Sequence, residues 1–351
     1  MAPSTSMRLK TFFEANQFKT GYATHGLFPY RGKFHPQMIK GLINVMGVDP
    51  GEVILDPMMG SGTVLVEAAL MGIHSVGVDT SPLCLLMTQA KLAGLVLDPA
   101  ELQDALESPE STFDALEGGG DLGLGEGCSR LLGLAYLDSL GFAARRKKKS
   151  ARELFATVLA RYAGAVGKFS AATEGGTIEL GASLPMRGDA RSLPLEAGSV
   201  HGAIFSPPYS FAVDYVANDA DQLERLDVDT EALREQMVGL RGDGADRVEL
   251  YFRDMAAIMR EVARVLAPGR RCCVVVGSNT KQLSKLLGKE RVAGIEERLV
   301  DVGMGCGLML KWRTTRQITG IANTMRDEHI LLFEAEGSDE GQPEARQLNL
   351  L

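Results

Sequence analysis

Cysteine, tryptophan and long apolar runs are all scarce in this chain of 351 residues. The five cysteines, Cys84, Cys128, Cys272, Cys273 and Cys306, have neither CxxC nor Cys/His ligand spacing. That argues against a disulfide framework and a zinc module, and no metal is expected. There is no secretory leader pattern and no stretch of 18 apolar residues, so a cytoplasmic setting without a membrane partner is expected. No repeat of solenoid period is present. An excess of positive charge is also lacking: 37 Lys and Arg face 45 Asp and Glu, a net charge of −8. Taken alone this opposes a nucleic-acid partner, because phosphate binding needs local positive surface.

The acidity is concentrated. Asp98, Glu101, Asp104, Glu107, Glu110, Asp114, Glu117, Asp121, Glu126 and Asp138 fall within one 41-residue stretch whose only base is Arg130. That stretch carries −9, leaving the rest of the chain near +1, which no longer opposes a basic face. Within it, residues 118–127 are glycine-rich and read as a flexible loop. Arg145-Arg146-Lys147-Lys148-Lys149, with Arg152, is expected to open a helix reaching Tyr162. The polar stretch 337–351 reads as a flexible tail.

Outside 98–180 short apolar runs alternate with helical periodicity. Strands are expected at Val53–Leu55, Ser75–Val78, Val200–Phe205, Cys272–Val276 and Ile330–Phe333. Helices are expected at Gly62–Met71, Pro82–Leu92 and Tyr251–Leu266, the last closed by Pro268-Gly269. This alternation is that of an α/β sheet with helices on both faces.

Asp56-Pro57-Met58-Met59-Gly60-Ser61-Gly62-Thr63 follows a strand and opens a helix. Gly60 and Gly62 permit backbone angles and close approaches that a side chain forbids. The helix start offers free N–H groups outside the carboxyl ends of the strands, where such sheets hold nucleotide-like ligands. A plain strand–helix turn with Ser61 as cap would leave the same pattern. Asp79 ends the next strand about 20 residues on, where an acid chelates ribose hydroxyls, although it would also serve as a helix cap ahead of Pro82. The loop is not G-x-G-x-x-G and lacks a following Gly-Lys-Ser/Thr, so neither a nicotinamide pyrophosphate nor a phosphate loop fits. Asp56 suits a ligand bearing an ammonium group, and S-adenosyl-L-methionine is the obvious cationic nucleoside. Asp189, in Arg187-Gly188-Asp189-Ala190, is either a surface turn or an acceptor for an adenine amine with Ala190 supplying an N–H. As the third of three ordered strand-end acids it is read as functional.

Ser206-Pro207-Pro208-Tyr209 follows the strand Ala203-Ile204-Phe205. Two prolines hold the chain extended and remove two donors while keeping their carbonyls. A hydroxyl at one end and an aromatic ring at the other suit an exocyclic amine on a flat ring. A proline-stiffened loop is the bland alternative.

These two motifs, in this order, resemble the amino-group DNA methyltransferases, with cofactor motif Asp-Pro-Phe-x-Gly-Ser-Gly-Thr and catalytic motif Asp/Asn/Ser-Pro-Pro-aromatic. Serine at the first catalytic position is similar to the cytosine-N4 branch. Residues 24–37 resemble the stretch that precedes the cofactor motif, and Glu328–Phe333 the closing strand. The resemblance covers most of 20–97 and 183–335. It implies a Rossmann-like seven-stranded sheet with an antiparallel final hairpin, in the gamma-type order. It implies S-adenosyl-L-methionine held by Asp56, Met58, Gly60, Ser61, Gly62, Asp79, Asp189 and Ala190, and catalysis by Ser206, Pro207, Pro208 and Tyr209. Met58 departs from the usual phenylalanine but still packs on a ligand. The expected organisation is an arm and cofactor-closing segment at 1–48, a core at 49–97 and 181–336, and an insertion at 98–180 for target recognition or a partner.

The implied substrate is double-stranded DNA with its target cytosine flipped onto Tyr209, and a cognate restriction endonuclease is the implied partner. Adenine-N6 transfer, an RNA base amine and a non-catalytic cofactor-binding subunit are the alternatives. Positive surface is expected from Arg8, Lys10, Lys19, Arg31 and Lys33, from the 145–149 block, or from Lys311, Arg313, Arg316 and Arg326. Tyr215 and Arg225 are candidates to sit over the base pocket unless 212–250 is a helical lid. His25 and His35 are either cofactor or phosphate contacts or ordinary loop residues.

Overall fold

The computed structural model describes residues 21–30, 32–120, 122–146, 148–173, 178–208, 214–277, 280–288, 292–317 and 327–337. The chain forms α1 (Pro36–Met46), β1 (Val53–Asp56), α2 (Thr63–Leu70), β2 (His74–Asp79) and α3 (Pro82–Ala93). A helical stretch follows, with a 3-10 turn at Pro99–Leu102, then α4 (Gln103–Glu107), α5 (Pro109–Glu117), α6 (Glu126–Arg146) and α7 (Ala151–Thr173). Next come β3 (Ser183–Arg187), β4 (Val200–Phe205), α8 (Tyr215–Asn218), α9 (Ala220–Arg225), α10 (Thr230–Gln236) and α11 (Gly244–Val265). The chain continues through β5 (Leu266–Gly277), α12 (Thr280–Leu287), α13 (Ile295–Met304), β6 (Leu308–Gln317) and β7 (Asp327–Ala335).

The seven strands form one sheet in the order β3-β2-β1-β4-β5-β7-β6. β1 to β5 pair in parallel, and β7 runs antiparallel to β5 and β6. This is the Rossmann-like sheet with a reversed final hairpin expected from the sequence. Covered on both faces, β1 buries all four residues, whereas edge strand β6 exposes every second one, the contrast between an interior parallel strand and a half-solvated one. One face packs α11 through Tyr251, Met255, Ile258 and Val262. The other packs α1 and α2 through Met38, Ile39, Leu42, Val64 and Leu65. The sheet order also sets the site. Parallel strands put the segments after β1, β2, β3 and β4 at one edge, so four motifs spread over 150 residues of chain meet there.

Two expectations need correction. α11 ends at Val265, and Pro268-Gly269 falls inside β5 rather than closing the helix. The β4–β5 register slips there, from Val200↔Leu266 to Gly202↔Arg271, so the missing proline N–H interrupts no regular ladder. The basic block does not open a helix either: Arg145 lies in the last turn of α6, and α7 starts only at Ala151.

Helices α6 and α7 are not a separate body. Leu131, Leu134, Phe155 and Tyr162 share a core with Leu83 and Met87 of α3 and with Val216, Leu223 and Leu233 from α8, α9 and α10.

Candidate functional site

A cleft open at its mouth lies at the carboxyl ends of the parallel strands. Met58, Gly60, Ser61, Asp79, Asp189, Ala190, Ser206, Pro207 and Pro208 all line it. Tyr209 falls outside the described residues. Asp56 and Gly62 are not in the lining.

Gly62 has φ 72° and serves as the N-cap residue of α2. An added Cβ there would lie 2.6 Å from Thr88, so both backbone angle and space require glycine. Ser61 is therefore not the cap. Its Oγ is buried without a hydrogen-bond partner, while its carbonyl accepts from Lys91 Nζ at 2.6 Å. Lys91 is fully buried, and desolvation pulls its ammonium down to about 7.

Asp79 ties the glycine loop to the start of α3. Oδ2 accepts from the Gly60 amide at 2.9 Å and Oδ1 from the Ser81 amide at 2.9 Å. Ser81, not Asp79, caps α3, its Oγ accepting from the Cys84 amide. Burial pushes the Asp79 carboxyl up, and the amide hydrogen bonds only partly offset this. Asp56, 1% exposed, accepts from the Met58 amide at 3.1 Å, and its burial pushes the carboxyl well above the usual range. A buried carboxyl of this kind favours a cationic neighbour.

Asp189 is both a turn residue and part of the lining. Its carboxylate accepts from the Arg191 amide at 2.9 Å and from Arg191 Nη2 at 2.8 Å. Burial pushes it up, but the Arg191 hydrogen bonds and charge outweigh that and hold it below the ordinary carboxylate range.

The opposite wall comes from two other segments. Tyr30, Gly32, Lys33 and Phe34 line the cleft from the stretch before α1. Tyr215, Gln236, Met237, Val238 and Leu240 line it from the 214–241 segment, hereafter the lid. The rings of Tyr30 and Tyr215 stack with centroids 6.2 Å apart. Arg225 lies away from the cleft: it donates to the Glu117 carbonyl and sits over the Tyr136 ring at 5.4 Å. His25 is 1% exposed, with Nε2 2.7 Å from Glu67 Oε1 on α2, so it is a buried anchor and not a ligand contact. Tyr22 reaches the same carboxylate. Of the expected basic surface, Lys33 lines the cleft, Arg152 forks onto Asp114 and Glu110, and Lys311 pairs with Glu334. Arg8, Lys10, Lys19, Arg31, Lys147 and Arg326 lie outside the described residues.

These residues fit S-adenosyl-L-methionine. Gly60 leaves room under the Tyr30 ring, which an added Cβ would meet at 3.4 Å. Ser61 offers an unpartnered hydroxyl, and Asp79 and Asp189 offer carboxylates at the ends of β2 and β3. Among the described residues no group of three His, Cys, Asp or Glu is placed to hold a metal ion. No described helix is long and apolar enough to cross a membrane.

The cluster of buried Lys91, His25 and Glu67 with half-buried Tyr22 has little signature in the sequence. Lys91 had a signal: it continues the stripe Cys84, Met87, Thr88, one helical face of buried positions. Glu67 sits among apolar neighbours in α2 in the same way.

Residues 27–105 match the family described as UPF0020, RMKL-like, methyltransferase domain. The chain is 46% identical over 68 residues to the type II methyltransferase M.MjaII of Methanocaldococcus jannaschii, covering 19% of this chain and 13% of that protein. It is 44% identical over 52 residues to a tRNA (guanine(10)-N2)-dimethyltransferase of Methanothermobacter thermautotrophicus, covering 15% of this chain and 16% of that protein. The chain thus spans about an eighth to a sixth of the length of these relatives. A SAM-dependent methyltransferase structure from Methanosarcina mazei aligns over 85% of this chain and 97% of that one, at 12% identity and a TM-score of 0.41.

Proposed function

We propose that the chain transfers a methyl group from S-adenosyl-L-methionine to the exocyclic amine of a nucleobase, with N4 of a flipped cytosine in double-stranded DNA as acceptor. The observation that carries this is the meeting of the glycine loop, Asp79, Asp189 and Ser206-Pro207-Pro208 around one cleft. When bound, S-adenosyl-L-methionine supplies an electrophilic methyl group on a sulfonium. Asp79 and Asp189 would hold the nucleoside, Met58 would pack against it, and the buried Asp56 carboxyl would favour its positive charge. Ser206 Oγ and the Pro207 carbonyl accept hydrogen bonds from the amine. They draw its nitrogen toward tetrahedral geometry and free a lone pair otherwise delocalised into the ring; as the nitrogen–carbon bond formed, the methyl–sulfur bond would break to leave a neutral thioether, and the surplus amine proton would pass to solvent. Orientation and fixed dipoles supply the acceleration, without a covalent enzyme intermediate. Tyr209 is assigned the stacking role for the flipped base by its place in the tetrad. The helical stretch 99–173 and the lid are proposed to receive the target, and a cognate restriction endonuclease is the proposed partner.

A second reading, transfer to an RNA base amine, is favoured by the likeness to a tRNA dimethyltransferase. Labelled cofactor incubated separately with DNA and with tRNA, followed by digestion to nucleosides, separates the two. Label in N4-methylcytosine of DNA is the expected result. Label in N6-methyladenine moves the acceptor to adenine, and label confined to RNA overturns the DNA assignment. Cofactor binding with no transfer to either polymer leaves a non-catalytic subunit.

A further inference from the structure

Asp254, on α11, is 4% exposed and does not line the cleft. Two arginines reach its carboxylate from different elements. Arg191, on the turn after β3, places Nη1 3.2 Å from Oδ1. Arg241, at the end of the lid, places Nη2 2.6 Å from the same oxygen and also bonds Oδ2. The Arg191 fork continues outward, its Nη2 donating to Asp189 Oδ2 at 2.8 Å and to the Gln236 carbonyl at 2.9 Å. Asp189 and Gln236 both line the cleft. One buried anion therefore ties the turn that carries a strand-end acid to the lid segment that faces it.

A carboxylate taken out of water is costly unless paired and hydrogen-bonded, and this one is paired twice. Arg241 keeps its orientation toward Asp254 although its Nε is buried without an acceptor. The pull of Asp254 thus outweighs a lost hydrogen bond on the same side chain.

We propose that Asp254 is a positioning residue for the base end of the cofactor. By holding Arg191 it orients the Asp189 carboxylate, and by holding Arg241 it keeps residues 236–241 against the bound ring. This rests on the assignment of the cleft to S-adenosyl-L-methionine. Asp254 touches neither Ser206 nor Pro207, so its loss acts on nucleoside binding and not on the transfer step.

The test is calorimetric titration of the full chain with S-adenosylhomocysteine, with steady-state methyl transfer measured beside it. Asp254→Asn, nearly isosteric, should raise the dissociation constant tenfold or more and raise the cofactor KM in step. Its kcat at saturating cofactor should stay within threefold of the parent. Arg241→Met, which cuts only the lid arm, should weaken binding three- to tenfold and keeps the test open should Asp254→Asn fail to fold. Arg191→Lys, which retains charge but loses the fork, should fall between them. Dissociation constants within twofold of the parent in folded Asp254→Asn and Arg241→Met would overturn the proposal, as would a fall in kcat with unchanged affinity. A parent chain that does not bind S-adenosylhomocysteine at all would overturn the cofactor assignment, and this inference with it.

Discussion

The two walls of the cleft are built by opposite means. The wall at the strand ends is backbone: Gly60 at φ 48°, its amide held by Asp79, the Ser61 carbonyl held by Lys91, and two prolines after β4. The facing wall is side chains on short helices, held by packing against α6 and by ion pairs such as Arg234–Asp214 at 2.7 Å. Backbone positions are fixed by local sterics and tolerate almost no substitution. Packed side chains are fixed by neighbours distant in sequence and tolerate repacking at smaller cost. The first wall therefore holds its shape only with these residues, whereas the second can readjust.

Substitutions in the two walls should therefore separate. The largest effect is expected for Gly62→Val, which meets Thr88 and a forbidden φ together. It should cost roughly 2–5 kcal/mol of stability, read by urea unfolding, and abolish S-adenosylhomocysteine binding. Gly141→Val comes next. An added Cβ in α6 would lie 2.3 Å from Gln222 Nε2, and Gln222 is 5% exposed on α9. The contact is with the far end of a flexible side chain, so the Gln222 amide must turn away within its buried site, at about 1–3 kcal/mol, and turnover of a nucleic-acid acceptor should fall roughly threefold through the disturbed packing of α9. Nucleoside affinity should change less than threefold. An equal loss of nucleoside affinity in both variants would dissolve the distinction between the walls.

A third prediction concerns the lysine under the backbone wall. Lys91 titrates near 7 when folded against 10.5 when free. Between those values the unfolded chain holds a proton that the folded chain has released. Raising pH through that window therefore favours folding, and lowering it to 7 removes that stability, by up to about 1.4 kcal/mol per pH unit. Lys91→Met should lose this slope, so the difference in unfolding free energy between parent and variant should narrow or invert from pH 8.5 to pH 7. A difference independent of pH would show that Lys91 keeps its charge. The smallest effect is expected for Arg225→Met. It removes the hydrogen bond to the Glu117 carbonyl and the cation–π contact with Tyr136, together about 1 kcal/mol, measured by thermal unfolding. No change in nucleoside affinity should accompany it.

The backbone wall was legible because its chemistry is local. Gly60, Gly62 and Pro207-Pro208 announce themselves by residue type, and Asp79 and Asp189 by their place at strand ends. The roles of Ser61 and Asp79 were not settled by position: Ser61 proved not to cap α2, and Asp79 turned out to brace the loop without capping α3. The side-chain wall was largely illegible. Tyr215 was singled out and does line the cleft, but Arg225, drawn from the same segment, faces α6 instead. Periodicity says which residues of a short helix share a face. It does not say which neighbour that face meets when the neighbour lies 80 residues away.

By itself the sequence determined the alternation of strand and helix, the strand-end loops and the residue types that line the cleft there, because those follow from backbone sterics and the period of burial. Only the tertiary structure decided that the acidic, glycine-interrupted stretch from 98 onward is a scaffold for the lid. It alone decided that Lys91 and His25 lie buried behind the loop, and that Asp254 joins Arg191 to Arg241. Each of these is a pairing across a long span of chain. Its free energy comes from removing charge and apolar surface from water together, and no local pattern in the sequence records which partners are brought close enough to do so.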